Sequence, residues 1–267
     1  MAVRIISSLI GLPLLIFMVY TGGIPLLVTN MVLAIVGMKE FYMSMFKKRL
    51  LICYLGYAFA IILYMIIDME GTKGIMAICS LFLISLMMVL VFQFPKINII
   101  DCAIAFFGFF YVALLISFVY QVRHYSYGRF FVWLIFICAF GCDTFAYFTG
   151  TLFGKHKLVP TLSPKKTVEG AVGGVLGAVI LAYIYSVAVS KLFFLEDINI
   201  VLLCTIAGAA GAVFAQLGDL SASAIKRYTG IKDFGKIIPG HGGVLDRFDS
   251  VLFTAPAVYF VMLLLIK

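Results

Sequence analysis

Continuous apolar runs follow one another along the chain, and several are long enough to cross a bilayer, which takes roughly 20 helical residues at about 1.5 Å of rise each. The runs are unbroken rather than alternating, so barrel strands are excluded and the backbone must satisfy its hydrogen bonds within helices. Of 267 residues, 64% are hydrophobic and only 12% charged, about half the charge of an ordinary soluble domain. The expected fold class is all-α: a polytopic helical membrane protein.

Reading the runs between their punctuating residues predicts helices at about 5–20, 24–38, 50–67, 74–94, 99–120, 130–149, 168–190, 199–224 and 247–266. Arg4 and the apolar stretch after it resemble a signal peptide, but no small-residue cleavage site follows and more spans come at once; the segment reads as an uncleaved first helix. The first two runs are short and joined by Thr21-Gly22-Gly23, so a re-entrant pair is the alternative there. Residues 1–128 are expected to carry the N-terminal membrane helices. Residues 129–267 are expected to form the C-terminal catalytic half, with long loops at 150–167 and 225–246.

Placing the N-terminus in the cytoplasm puts Arg4, Lys96 and the cations within 39–49, 155–166 and 226–247 on the inner side. Only Lys73, Arg123, Arg129, Lys191 and Lys267 are left outside. This asymmetry predicts a cytoplasmic N-terminus and an outer C-terminus; the expected location is the cytoplasmic (inner) membrane. The net charge of +8 then belongs to the inner leaflet and its anionic lipids rather than to nucleic acid. The six cysteines lie in apolar segments without a CxxC pair and read as small core residues. Gly170, Gly173, Gly174 and Gly177, like Ala207, Gly211 and Ala215, repeat at helical spacing and predict faces for close helix packing.

The polar residues concentrate in the C-terminal half. Counting helical rise brings Asp219 and Asp246 to the inner boundary, with Asp143 about 10 Å deeper. Gln216, Asp219, Ser223 and Lys226 fall on one helical stripe, and Asp246 and Asp249 share a face at i, i+3. Between the stripes lies Pro239-Gly240-His241-Gly242-Gly243, where small residues allow tight turns and the N–H groups entering the last helix are expected to point at an anion. The carboxylates are either partners of the nearby cations or ligands of a hard divalent ion such as Mg²⁺, which binds through one or two carboxylates plus substrate phosphates. His241 suits packing or a loop hydrogen bond as well as catalysis. Ser163, Lys165, Lys166 and Thr167 form either an anchoring loop with a helix cap or a phosphate-binding set without the Walker A order.

Two stretches carry a resemblance. One comprises Ser223, Lys226-Arg227, Lys232-Asp233, Gly235, His241-Gly242-Gly243, Asp246-Arg247 and Asp249. The other comprises Asp143-Thr144-Phe145-Ala146-Tyr147, Gly150, Phe153-Gly154-Lys155, Ser163-Pro164-Lys165-Lys166-Thr167 and Glu169-Gly170. Together they resemble the signature of the phosphatidate cytidylyltransferase family, the CDP-diacylglycerol synthases. Thr151 stands where family members often carry a basic residue, and Val168 where an aromatic is common.

The resemblance implies CTP and phosphatidic acid as substrates, a divalent metal and a homodimer. The expected roles follow. Asp219 and Asp246 hold Mg²⁺, with Asp249 as a further ligand or an orienter of Arg247. Lys226, Arg227, Lys232 and Lys236 clamp phosphates. Ser163, Lys165, Lys166 and Thr167 take the triphosphate, Asp143 assists, and Ser223, His241, Gly242 and Gly243 line the substrate site. The alternatives are a CTP-dependent kinase of a lipid alcohol and an ion-coupled transporter; the latter predicts inverted repeats, and no internal repeat is evident.

Overall fold

The computed structural model describes residues 2–46, 51–193, 199–240 and 242–266, the side chains of 2–8 and 10 excepted. His241, Lys47, Lys48, Arg49 and Lys267 therefore lie outside the described residues. Each expected helix has a counterpart: α1 (Ala2–Thr21), α2 (Gly23–Met45), α3 (Leu51–Glu70), α4 (Ile75–Gln93), a rod of α5 (Ile99–Gly108) and α6 (Leu115–His124) joined by a π segment (Phe109–Leu114), α7 (Gly128–Phe153), α8 (Val168–Leu192), α9 (Ile200–Thr229) and α10 (Leu245–Leu265). Among the described residues, eight helices are long and apolar enough to cross a membrane. The protein is an all-α multi-pass membrane protein.

Among the differences from expectation, three bear on the argument. α2 is not short: it runs 23 residues, to Met45, because Lys39 and Glu40 are absorbed into its last turns rather than ending it. α9 continues past the apolar run to Thr229, where Gly230 adopts φ 72° and closes it, with Lys226 and Arg227 in the last turn. Glycine suits that left-handed position, and cations suit a helix C-terminus. Residues 157–167, expected as loop, hold a small antiparallel hairpin of β1 (Lys157–Val159) and β2 (Ser163–Thr167).

The chain forms two compact units. The first comprises the chain up to Gln121 together with Ile231–Arg247. Its core is aromatic: the Phe82 ring lies 4.8 Å from that of Phe109 and 5.0 Å from that of Phe59. Gly37 and Gly108 let α2 close on the α5–α6 rod, where a Cβ would meet Val112 or the Phe41 and Tyr42 rings. Tyr42 Oη donates to the Ala105 carbonyl at 2.7 Å and Tyr64 Oη to that of Ala113 at 3.2 Å. Side chains reaching into a helical ladder in this way accompany π turns. Asn98 and Asp101 cap α5 reciprocally.

The second unit comprises Val122–Gly230 and the chain from Phe248 onward. Here the expected small faces do what their spacing predicts. A Cβ at Gly173 would meet Thr149, one at Gly174 would meet Ala146 and Cys142, and one at Gly177 would strike the Phe145 ring. On the neighbouring helix, Gly208 faces Ala182 and Gly211 faces Cys138. Cys138 and Cys142 are fully buried, with their Sγ atoms on the Ala207 and Ala212 carbonyls, as expected of core cysteines. Thr167 caps α8 through Oγ1, which accepts the Gly170 N–H at 3.1 Å. Glu169 in the first turn of α8 accepts the N–H groups of Lys155 and His156 and pairs with His156 Nδ1 at 2.6 Å, tying the exit of α7 to the entry of α8.

Candidate active site

The second unit holds a cavity of about 510 Å³ whose lining includes Asp143, Tyr147, Lys165, Lys166, Gln216 and Asp219. Three local devices build it. The hairpin brings Lys165 and Lys166 to its rim. The glycine faces bring α7 and α8 close enough for Gly150 and Gly170 to share its wall. Gln216 Nε2 donates to the Ala171 carbonyl at 2.8 Å, which anchors α9 one turn before Asp219.

Charges of both signs meet there. Lys166 Nζ pairs with Asp219 Oδ2, each side chain less than a third exposed. Asp143, exposed at the cavity, accepts the Ser250 hydroxyl at 3.3 Å. Asp249 lies within electrostatic reach of Asp219, Asp143 and Lys226, and its Oδ1 accepts the Ser250 N–H at 2.8 Å. Asp249 of α10 thus feels the acidic residues of both α7 and α9. Thr167 lines the cavity, but its hydroxyl oxygen is engaged as the cap of α8. Ser163 pairs with Val159 at the far end of the hairpin, and Arg227 Nε donates to the Leu162 carbonyl at 3.4 Å, fastening the end of α9 to the hairpin turn. Ser223 lies half-buried one turn beyond Asp219.

The 231–247 segment, in the first unit, has its own order. Ile238 and Gly242 form an isolated bridge, and Gly240 and Gly242 adopt φ 78° and 90°, where a side chain would be strained. Asp246 is buried, and its Oδ2 accepts the N–H groups of Phe234 at 2.8 Å and Gly243 at 3.0 Å. Lys232, Lys236 and Arg247 are exposed.

The N–H groups entering α10, expected to point at a bound anion, are taken by a side chain of the protein itself. Glu40 of α2, 3% exposed, takes Val244 N–H on Oε1 at 3.0 Å and Leu245 N–H on Oε2 at 2.9 Å. Sequence reasoning passed over Glu40 because it ended the second helix at residue 38, two positions before this carboxylate, whereas α2 runs on to Met45. The available signal was a lone carboxylate at the end of an apolar run.

Among the described residues, no group of three or more His, Cys, Asp or Glu is arranged to hold a metal ion by itself. The all-oxygen donors Asp219 and Asp249 suit instead a hard divalent cation that shares its ligands with substrate phosphate and water. The donor set therefore fits the implied metal and lacks the His and Cys ligands usual for zinc.

The profile of the cytidylyltransferase family matches residues 2–265. The chain belongs to this family. A phosphatidate cytidylyltransferase of Staphylococcus saprophyticus is 33% identical over 267 residues, covering 98% of this chain and 99% of its own length. Proteins of the same name from Staphylococcus epidermidis and Staphylococcus aureus are 33% and 32% identical over 270 and 267 residues, with the same coverage. This family member is thus a multi-pass membrane enzyme of the nucleotidyltransferase class.

Proposed function

We propose that the protein transfers the cytidylyl group of CTP to phosphatidic acid, yielding CDP-diacylglycerol and pyrophosphate at the cytoplasmic face of the membrane. The observation that carries the reading is the cavity in which a lysine pair faces Asp143 and Asp219, within a chain of the cytidylyltransferase family.

An oxygen of the lipid phosphate attacks the α-phosphorus of CTP in line. The bond from that phosphorus to the oxygen bridging to the β-phosphate breaks, and pyrophosphate leaves. The nucleophile is already an anion, so no general base is required; the barrier is repulsion between two anions and charge gathering on the leaving group. Catalysis is then positioning and electrostatic stabilisation. Lys165 and Lys166 neutralise the triphosphate from the hairpin. Asp219 pairs with Lys166 and thereby sets where that ammonium stands. Lys226 and Arg227 extend the positive field along α9, and Lys232 and Lys236 offer phosphate contacts from their own loop. Asp219 and Asp249 would hold a divalent cation, which supplies neutralisation of phosphate charge when bound.

The test is incubation of purified protein with phosphatidic acid, Mg²⁺ and CTP labelled at either the α- or the γ-phosphorus, followed by lipid chromatography. Label from the α position is expected in the lipid and label from the γ position in pyrophosphate. Label from the γ position in the lipid identifies a kinase and overturns the proposal, as does CTP-independent lipid or ion movement with no labelled lipid.

A further inference from the structure

We propose that Glu40 is a positioning residue that sets the geometry of the 231–247 loop; this rests on the cytidylyltransferase reading, which assigns Lys232 and Lys236 of that loop to phosphate. Glu40 lies about 200 positions away in sequence, near the end of α2, yet both of its oxygens are spent on the loop's far end, at Val244 and Leu245. These are orphan donors at the start of α10, and capping them with a charged acceptor makes a stronger tie than a neutral one. The near end of the loop abuts the same carboxylate: a Cβ on Gly235 would run into Glu40 Oε1, and one on Gly243 would come within 2.6 Å of both oxygens. Asp246 joins the two ends from inside the loop through Phe234 and Gly243. One carboxylate from α2 is thereby the template on which both ends of the loop are laid. Gly235 falls between Lys232 and Lys236, both exposed, so the template also sets where the two ammonium groups stand. A buried carboxylate in an apolar helix is costly, and the four N–H groups gathered around Glu40 and Asp246 are what offset that cost.

The experiment is steady-state kinetics of the full-length protein in lipid nanodiscs, varying CTP and phosphatidic acid separately, for Glu40→Gln, Glu40→Ala, Gly235→Ala and the Glu40→Ala/Gly235→Ala double variant. Misplaced phosphate clamps weaken ground state and transition state alike, so the loss is expected in KM. Removing charge-assisted hydrogen bonds predicts a rise in KM of about tenfold for Glu40→Gln, which keeps one acceptor oxygen, and a larger rise for Glu40→Ala. Gly235→Ala is expected to raise KM alone but to add nothing once the Glu40 carboxylate has been removed. Backbone exchange at Val244 and Leu245 is expected to quicken in both Glu40 variants. A fall in kcat at unchanged KM reports loss of folded enzyme and overturns the proposal, as do unchanged KM in Glu40→Gln or additive effects of the two sites. A wild-type protein that incorporates no CTP overturns the functional reading before any variant is compared, so the two failures are distinguishable.

Discussion

Asp246 and Lys166 show how differently single residues of one signature are used. Asp246 is buried with Oδ2 holding two backbone N–H groups. The amide oxygen of Asn keeps both of those bonds, so Asp246→Asn removes charge without opening the loop. If Asp246 contributes its charge to the reaction, turnover in the CTP incorporation assay falls by about 10²-fold, the scale of one lost transition-state stabiliser, while thermal stability holds. Turnover near that of the unaltered protein would leave Asp246 with the loop alone. Lys166 sits instead at the cavity with Asp219. Lys166→Ala should raise KM for CTP by about tenfold, the worth of one charged hydrogen bond, and unaltered CTP kinetics would take Lys166 out of the nucleotide site. The Lys166–Asp219 pairing was not legible in sequence: each residue carried a function on its own, but nothing in their spacing of more than fifty positions showed that they meet.

Among the elements, α8 is the most demanding. Its glycines admit Thr149, Ala146, Cys142 and Phe145 of α7 at distances that leave no room for a methyl group. Gly177→Val should therefore destabilise the protein by about 1–3 kcal/mol through overpacking, seen as a lower melting temperature in detergent. Because the same contact brings α7 to the cavity wall, activity should fall with it. Thr167→Ala removes the cap of α8 and is expected to cost about 1 kcal/mol; a melting temperature equal to wild type would show that the hairpin alone suffices. The glycine spacing and the Thr167 cap were readable in the sequence because both are local patterns with one physical meaning. The hairpin was not: β1 has three residues, and the run from Ser163 to Thr167 holds a proline and two lysines, without the apolar alternation that signals a strand.

At the scale of the whole molecule, charge and parity together predict an orientation. Glu40 touches Val244 and Leu245, so the end of α2 and the start of α10 lie on one side of the membrane. An even number of crossings must separate them, and α3, α4, the α5–α6 rod, α7, α8 and α9 satisfy that. Which side it is follows from neither contact; the cation asymmetry predicts the cytoplasm. A membrane-impermeant maleimide should then label Lys73→Cys on intact cells, and Lys232→Cys only after permeabilisation. The reverse pattern would put the loop outside, away from CTP.

Apolar run length and charge placement determined the membrane class and the number of helices, because a bilayer imposes one scale on every span. Residue order in two stretches pointed to the family. What only the tertiary structure decided is who meets whom. The carboxylate at the entry to α10 is Glu40, and the partner of Lys166 is Asp219. Each of these contacts joins residues far apart in the chain, and the energy of a buried or half-buried charge depends on the neighbours that surround it after packing, which no local pattern records.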